Sequence, residues 1–283
     1  MPYQNPQALV SSQQLSESIG NPNLIILDSS YHLPNVDRNA VEEFKEKHIE
    51  GAFFFDIDVV CDPDSDLPHM LPPPELFAKA AGDWGISNNT HVVVYDVYGM
   101  QSAARAWWMF RVYGHDNVSV LNGGLPKWEK DGYSLSSSLK PPVPAEFKPK
   151  YRRELVRDLA DIFDLIETNN ENLVDVRSLG RFKGDEPEPR EGMRSGHMPG
   201  ATNLPFTELL SPEDKTFLPA DKLKEKLYKT ISNTQNPVVT TCGSGVTACI
   251  LALALFLIGK EDVAVYDGSW SEWGSLSHTP IVQ

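Results

Sequence analysis

Four short patterns recur in one order along this chain of 283 residues, at offsets of 145 to 149, and that duplication restricts the fold more than any other feature. Leu24-Ile25-Ile26-Leu27-Asp28-Ser29 is echoed by Asn172-Leu173-Val174-Asp175-Val176-Arg177, an apolar strand closing on an aspartate. His48-Ile49-Glu50-Gly51-Ala52 returns as His197-Met198-Pro199-Gly200-Ala201, and residues 91–96 return as 237–242. Asn122-Gly123-Gly124 with Trp128 returns as Asp267-Gly268-Ser269 with Trp273. Between the copies, residues 134–150 are rich in Ser and Pro, lack a helical or strand period, and read as a semi-rigid linker. The division expected is an N-terminal domain at 1–135, a linker at 136–152 and a C-terminal domain at 153–283. Within each copy, Val- and Ile-rich strands alternate with longer helical patterns such as 103–113 and 247–258. That alternation indicates two α/β domains, each a mostly parallel sheet with helices on both faces.

Lys and Arg total 25 against 39 Asp and Glu, a formal charge of −14, so the overall field repels nucleic acid and anionic membrane surfaces. A small anionic substrate must then be captured by a local cluster of Arg or Lys. The longest apolar run, residues 248–258, is too short to span a bilayer and reads as a buried helix. The first twenty residues carry no basic residue and no apolar core, which argues against a secretory or mitochondrial leader. Three widely spaced cysteines, Cys61, Cys242 and Cys249, support neither a disulfide framework nor a thiolate zinc site. A reducing compartment fits, the cytoplasm first, with a mitochondrial fraction left open.

The segment richest in chemistry runs from the strand Val238-Val239-Thr240-Thr241 through Cys242-Gly243-Ser244-Gly245 into a helix opened by Val246-Thr247-Ala248. In a parallel α/β sheet, ligands sit beyond the carboxyl ends of strands, where the next helix presents free N–H groups and the positive end of its dipole. A thiol there is activated, because a helix N-terminus lowers its pKa. The N–H groups from Gly243 to Thr247 can cradle a terminal persulfide anion. Cys249, seven residues further along the helix, reads as a packing residue, and Cys61 lies in an Asp-rich loop with no activating cation. Gly243-Ser244-Gly245-Val246-Thr247-Ala248 also fits G-x-G-x-x-A, but only 36 residues follow Thr247, too few for the strands a dinucleotide site still needs. A cysteine phosphatase loop requires Arg six positions after the Cys, where this chain has Ala248.

Cys242-Gly243-Ser244-Gly245-Val246-Thr247 resembles the active loop of the 3-mercaptopyruvate sulfurtransferases, relatives of rhodanese. The segments Gly180-Arg181-Phe182, Glu186-Pro187-Glu188-Pro189-Arg190, residues 197–201 and Asp267-Gly268-Ser269-Trp270 resemble the family as well. The resemblance implies two tandem rhodanese-like domains with the catalytic cysteine in the second only; the first has Asp96 in its place. It implies that Cys242 takes sulfur from 3-mercaptopyruvate, releases pyruvate and passes the sulfur to thioredoxin, a small thiol or cyanide, with no metal or organic cofactor. It assigns Arg181 and Arg190 to the substrate carboxylate, and Ser244, His69 and Asp58 to a proton relay that needs the first domain to lean on the second.

Two other readings compete. Thiosulfate-using rhodaneses resemble one another in basic residues directly after the catalytic Cys, where this chain has Gly243 and Ser244, so a neutral loop favours the keto acid. A regulatory rhodanese-like module without turnover would be expected to lack Cys242. The protein is expected to act as a monomer.

Overall fold

The computed structural model describes residues 2–231 and 233–283. The first five strands, β1 (Leu9–Val10), β2 (Leu24–Asp28), β3 (Ala52–Phe54), β4 (His91–Tyr95) and β5 (Val118–Leu121), form one sheet in the order β1-β5-β4-β2-β3. The next five, β6 (Val156–Arg157), β7 (Asn172–Asp175), β8 (Thr202–Asn203), β9 (Val238–Thr241) and β10 (Val263–Tyr266), repeat that order as β6-β10-β9-β7-β8. Every strand pair is parallel. The duplicated sequence thus folds into two copies of one topology, with Asp28 and Asp175 ending equivalent strands.

Alternate residues of the central strands serve opposite faces, as a pleat covered on both sides requires. In β4, Val92 and Val94 join one apolar cluster while Val93 and Tyr95 join another, and in β9 Val238 and Val239 divide in the same way. One cluster runs without a break through both domains, from Phe77 and Trp107 to Leu251 and Leu253. At its centre the helix Ser102–Val112, which follows β4, packs on the helix Ala248–Leu257, which follows β9. Trp107 and Phe256 meet there with ring centroids 5.5 Å apart. The helix Ala248–Leu257 is buried almost throughout, and among the described residues no helix is long and apolar enough to cross a membrane.

The stretch between the domains is docked rather than free. His48 and Ser136 exchange backbone hydrogen bonds of 2.9 and 2.8 Å, Ala145 N–H reaches the Gly82 carbonyl at 2.9 Å, and Phe147 is buried. The chain start crosses the other way: Tyr3 Oη donates to Leu218 O at 2.8 Å and Gln4 N–H to Leu257 O at 2.8 Å, both in the second domain. Because the interface is apolar at its centre and tied at its edges, loops from both domains are held in register around one cleft.

Candidate active site

Cys242 is the first residue after β9, as Asp96 is after β4, and only 2% of its surface is exposed. Its loop is fastened from behind by the segment Asp267–Ser271. Ser269 Oγ accepts from Cys242 N–H at 3.2 Å, Trp270 N–H donates to the Cys242 carbonyl at 3.0 Å, and Ser271 N–H and Oγ both donate to the Gly243 carbonyl at 2.7 Å. Two carbonyls are thereby turned outward, and among the described residues no protein acceptor takes the N–H groups of Gly243 to Thr247. A loop with its carbonyls tied and its N–H groups available is built to receive an anion. The left-handed turn falls at Gly245, with φ +73°, where a Cβ would also lie 2.6 Å from the Asp267 carbonyl. Gly243 carries no such constraint; a Cβ there would lie 3.0 Å from Arg181 Nη2.

The first domain's loop shows the same device already occupied. The Asp96 carboxylate accepts N–H bonds from Tyr98 at 2.8 Å, Gln101 at 2.7 Å and Ala103 at 2.9 Å. Complete burial pushes its pKa up, and those bonds oppose the shift. Asp96 fills its own nest with a tethered carboxyl group.

Cys242 opens on a cavity of about 460 Å³ whose walls come from both domains: Tyr31, Leu33, Val36, Tyr98 and Gln101 on one side, the loop 242–247 and three arginines on the other. Arg181 is steered by the Glu188 carboxylate, which is 4% exposed, through a 3.2 Å bond from Nε and a close one from Nη2. Arg177, fully buried, donates from Nη1 to Glu188 Oε1 at 2.7 Å, the oxygen that also accepts from Arg181 Nε, pairs with Asp175 and stacks 4.2 Å over the Trp270 ring. Arg190 Nη2 lies 3.3 Å from Tyr31 Oη and 3.2 Å from His69 Nε2.

His69 is buried, at 3% exposure, not the surface loop residue its sequence context would suggest. Asp58 Oδ1 lies 2.8 Å from its Nδ1 but off the axis of the ring N–H, so the contact is chiefly electrostatic. Burial holds the His69 pKa below its ordinary value, and a neutral ring with its free lone pair on Nε2 accepts from Arg190. Of the expected relay, Asp58 and His69 are therefore brought together, whereas Ser244 makes no hydrogen bond to His69; Arg190 holds that position instead. Ser244 lines the cavity beside Cys242.

Arg105, which sequence patterns do not single out, crosses the interface wholly buried. Its Nη1 reaches Asp267 Oδ1 at 2.6 Å and the Gly245 carbonyl at 3.4 Å, and its Nη2 makes a close bond to the His69 carbonyl. Its guanidinium lies 4.6 Å over the Trp108 ring, and Asp267 Oδ2 accepts from Leu71 N–H at 2.8 Å. His69, held at φ +62°, is thus joined to the Cys242 loop through one side chain. The remaining cysteines stand apart from this cavity. Cys249 is fully buried with its thiol 3.2 Å from the Gly245 carbonyl, and burial pushes its pKa far up. Burial and neighbouring aspartates also raise the Cys61 pKa. Among the described residues no cluster of His, Cys, Asp and Glu could hold a metal ion.

A rhodanese-like domain profile matches residues 11–131 and again 158–276. The 3-mercaptopyruvate sulfurtransferase of Homo sapiens is 45% identical over 94% of this chain and 92% of its own length. The mitochondrial thiosulfate/3-mercaptopyruvate sulfurtransferase 1 of Arabidopsis thaliana is 41% identical over 97% of this chain and 78% of its own length. The crystal structure of SseA from Escherichia coli, a 3-mercaptopyruvate sulfotransferase, superposes with a TM-score of 0.85 at 36% identity, covering 93% of this chain and 98% of SseA.

Proposed function

The chain belongs to the rhodanese family, and we propose that it transfers the sulfur of 3-mercaptopyruvate through a persulfide on Cys242, releasing pyruvate. The observation that supports this most strongly is the placing of Cys242, an anion-receiving loop and three arginines around one cavity. In the first half-reaction the Cys242 thiolate attacks the substrate sulfur. The carbon–sulfur bond breaks with its electron pair passing to carbon, and the pyruvate enolate takes a proton. In the second, an acceptor such as thioredoxin, a small thiol or cyanide attacks the outer sulfur, the S–S bond breaks, and Cys242 regains its electron pair. The N–H groups of Gly243, Ser244, Gly245, Val246 and Thr247 stabilise the terminal sulfur anion.

Arg181 and Arg190 clamp the carboxylate, as guanidinium forks suit planar anions. His69, neutral and backed by Asp58, handles the donor's proton once the carboxylate draws Arg190 away from its Nε2, and Ser244 extends that path from the Cys242 side. No metal or organic cofactor enters these steps. Both walls of the cavity belong to one chain, so a monomer suffices, and three unpaired cysteines suit a reducing compartment, cytoplasmic or mitochondrial.

Each arginine contributes a charged hydrogen bond worth about 1.5 to 3 kcal/mol, roughly 10-fold to 150-fold in rate. Arg190→Ala and Arg181→Ala should lower kcat/KM for 3-mercaptopyruvate by that factor while the protein stays folded. Steady-state kinetics with varied donor check this, and wild-type kcat/KM in both variants would remove the clamp. Thiosulfate brings two charges to a loop whose residues 243 and 244 are neutral, so parallel rates should favour 3-mercaptopyruvate. A higher rate with thiosulfate would make the chain a thiosulfate sulfurtransferase instead.

A further inference from the structure

The first domain's wall of the cavity contains a hydrogen-bonded chain that the reaction above does not use. Tyr98, which lines the cavity, has its hydroxyl 2.7 Å from His32 Nδ1, and His32 Nε2 lies 3.1 Å from Glu43 Oε2. Glu43 is gripped in turn by Arg38, with Nε to Oε1 at 2.6 Å and Nη2 to Oε2 at 2.7 Å. Arg38 also lies 5.4 Å over the Tyr98 ring. The His32 side chain is 4% exposed. These residues come from three segments: the loop after β2, the helix Ala40–Glu46 and the loop after β4. Tyr98 stands two residues after Asp96, as Ser244 stands two after Cys242.

The chain has a direction. The Arg38 guanidinium holds the Glu43 carboxyl below the usual range, so Glu43 is ionised and only accepts. In the tautomer whose Nε2 proton faces Glu43, His32 accepts from the Tyr98 hydroxyl at Nδ1. The Tyr98 oxygen keeps acceptor capacity, and Tyr98 lines the same cavity as Cys242. A carboxylate orienting an imidazole that in turn takes a hydroxyl proton is the arrangement general-base chemistry requires. His69 and the arginines attend the keto-acid donor; the Tyr31 hydroxyl, on the same wall, meets Arg190, whereas the Tyr98 hydroxyl meets an imidazole.

We propose that Glu43, His32 and Tyr98 form a proton relay for the second half-reaction, drawing the proton from an acceptor thiol as it attacks the Cys242 persulfide. The proposal rests on the reading of Cys242 as the sulfur carrier. The thiol proton passes to the Tyr98 oxygen while the Tyr98 proton moves to His32 Nδ1. The thiolate bonds to the outer sulfur, the S–S bond breaks, and its electron pair stays on Cys242 Sγ. The imidazolium is held by Glu43 until it returns its proton to water. Tyr98 is the catalytic residue; His32, Glu43 and Arg38 position it and set its proton's path.

An ordinary thiol, with a pKa of about 8.5, is only about 3% thiolate at pH 7, so losing the relay costs at most about 30-fold there and nothing above roughly pH 9.5. The full chain is loaded with 3-mercaptopyruvate, and persulfide discharge is followed with glutathione across that range, and with sulfite, whose reacting dianion carries no proton to lose and whose rate is referred to the dianion concentration. Tyr98→Phe and His32→Gln should load sulfur normally, discharge to glutathione more slowly at pH 7 by up to about 30-fold, recover as the pH rises, and discharge to sulfite at the wild-type rate. Wild-type glutathione rates at pH 7 in both folded variants would overturn the relay, as would a defect that is independent of pH or equal for sulfite. A wild-type protein that loads no sulfur would overturn the reading beneath it, and the loading step separates the two failures.

Discussion

Cys242→Ser should lose sulfur transfer by about a thousand-fold or more, because a hydroxyl ionises far less readily than a thiol and cannot carry a persulfide. The replacement is close in size and the loop is fixed by main-chain bonds to Ser269, Trp270 and Ser271, so the melting temperature should hardly change. The other cysteines supply the control. Cys249→Ser alters a buried thiol whose pKa is pushed far up, and Cys61→Ser alters one raised by burial and by aspartates. Both should keep most of the activity. A rate assay with 3-mercaptopyruvate and cyanide on the three variants checks the assignment; comparable losses in Cys242→Ser and Cys249→Ser would contradict it.

Arg105→Ala should carry a large structural penalty at the interface. It removes a fully buried cation and leaves the Asp267 carboxylate, 5% exposed, without its charge partner. Breaking a buried pair from one side costs about 3 to 5 kcal/mol, since the remaining charge stays desolvated. The functional loss follows from the same contacts, because Arg105 ties the His69 carbonyl to the Gly245 carbonyl of the Cys242 loop. Arg105→Lys keeps the charge but replaces a planar fork by a single point, so it should be intermediate in both respects. Thermal melts and activity assays on the two variants test this. An Arg105→Ala protein with a wild-type melt and rate would show that the strut carries neither stability nor alignment.

The sequence made the architecture legible because the repeat lies in local patterns. An apolar run ending in Asp28 or Asp175 and the glycine turns after β5 and β10 are decided by neighbours in the chain, and the two sheets came out in identical order. The Cys242 turn was legible for the same reason, since a strand, a glycine turn and an apolar helix specify where the thiol sits. What lay hidden was every pairing across the interface. Arg105 sits in an apolar helix with nothing adjacent to announce that Asp267, 162 positions away, receives it. Glu188 was part of a recognised segment, but its sharing between Arg177 and Arg181 depends on a fold-back that no periodicity records. Among the described residues Ser244 makes no hydrogen bond to His69, and Arg190, from a charged loop, lies 3.2 Å from that ring's Nε2. Residues 136–152 suggested a spacer from their Ser and Pro content, yet backbone groups find partners on the first domain whatever side chains they carry.

The most direct test of the central claim is the intact mass of the full chain after addition of 3-mercaptopyruvate without an acceptor. One sulfur atom, about 32 Da, should be gained per chain, with one pyruvate released, and peptide mapping should place it on Cys242. Cyanide should then remove it and restore the original mass. No gain in mass, or a gain that maps to Cys249 or Cys61, would contradict the account.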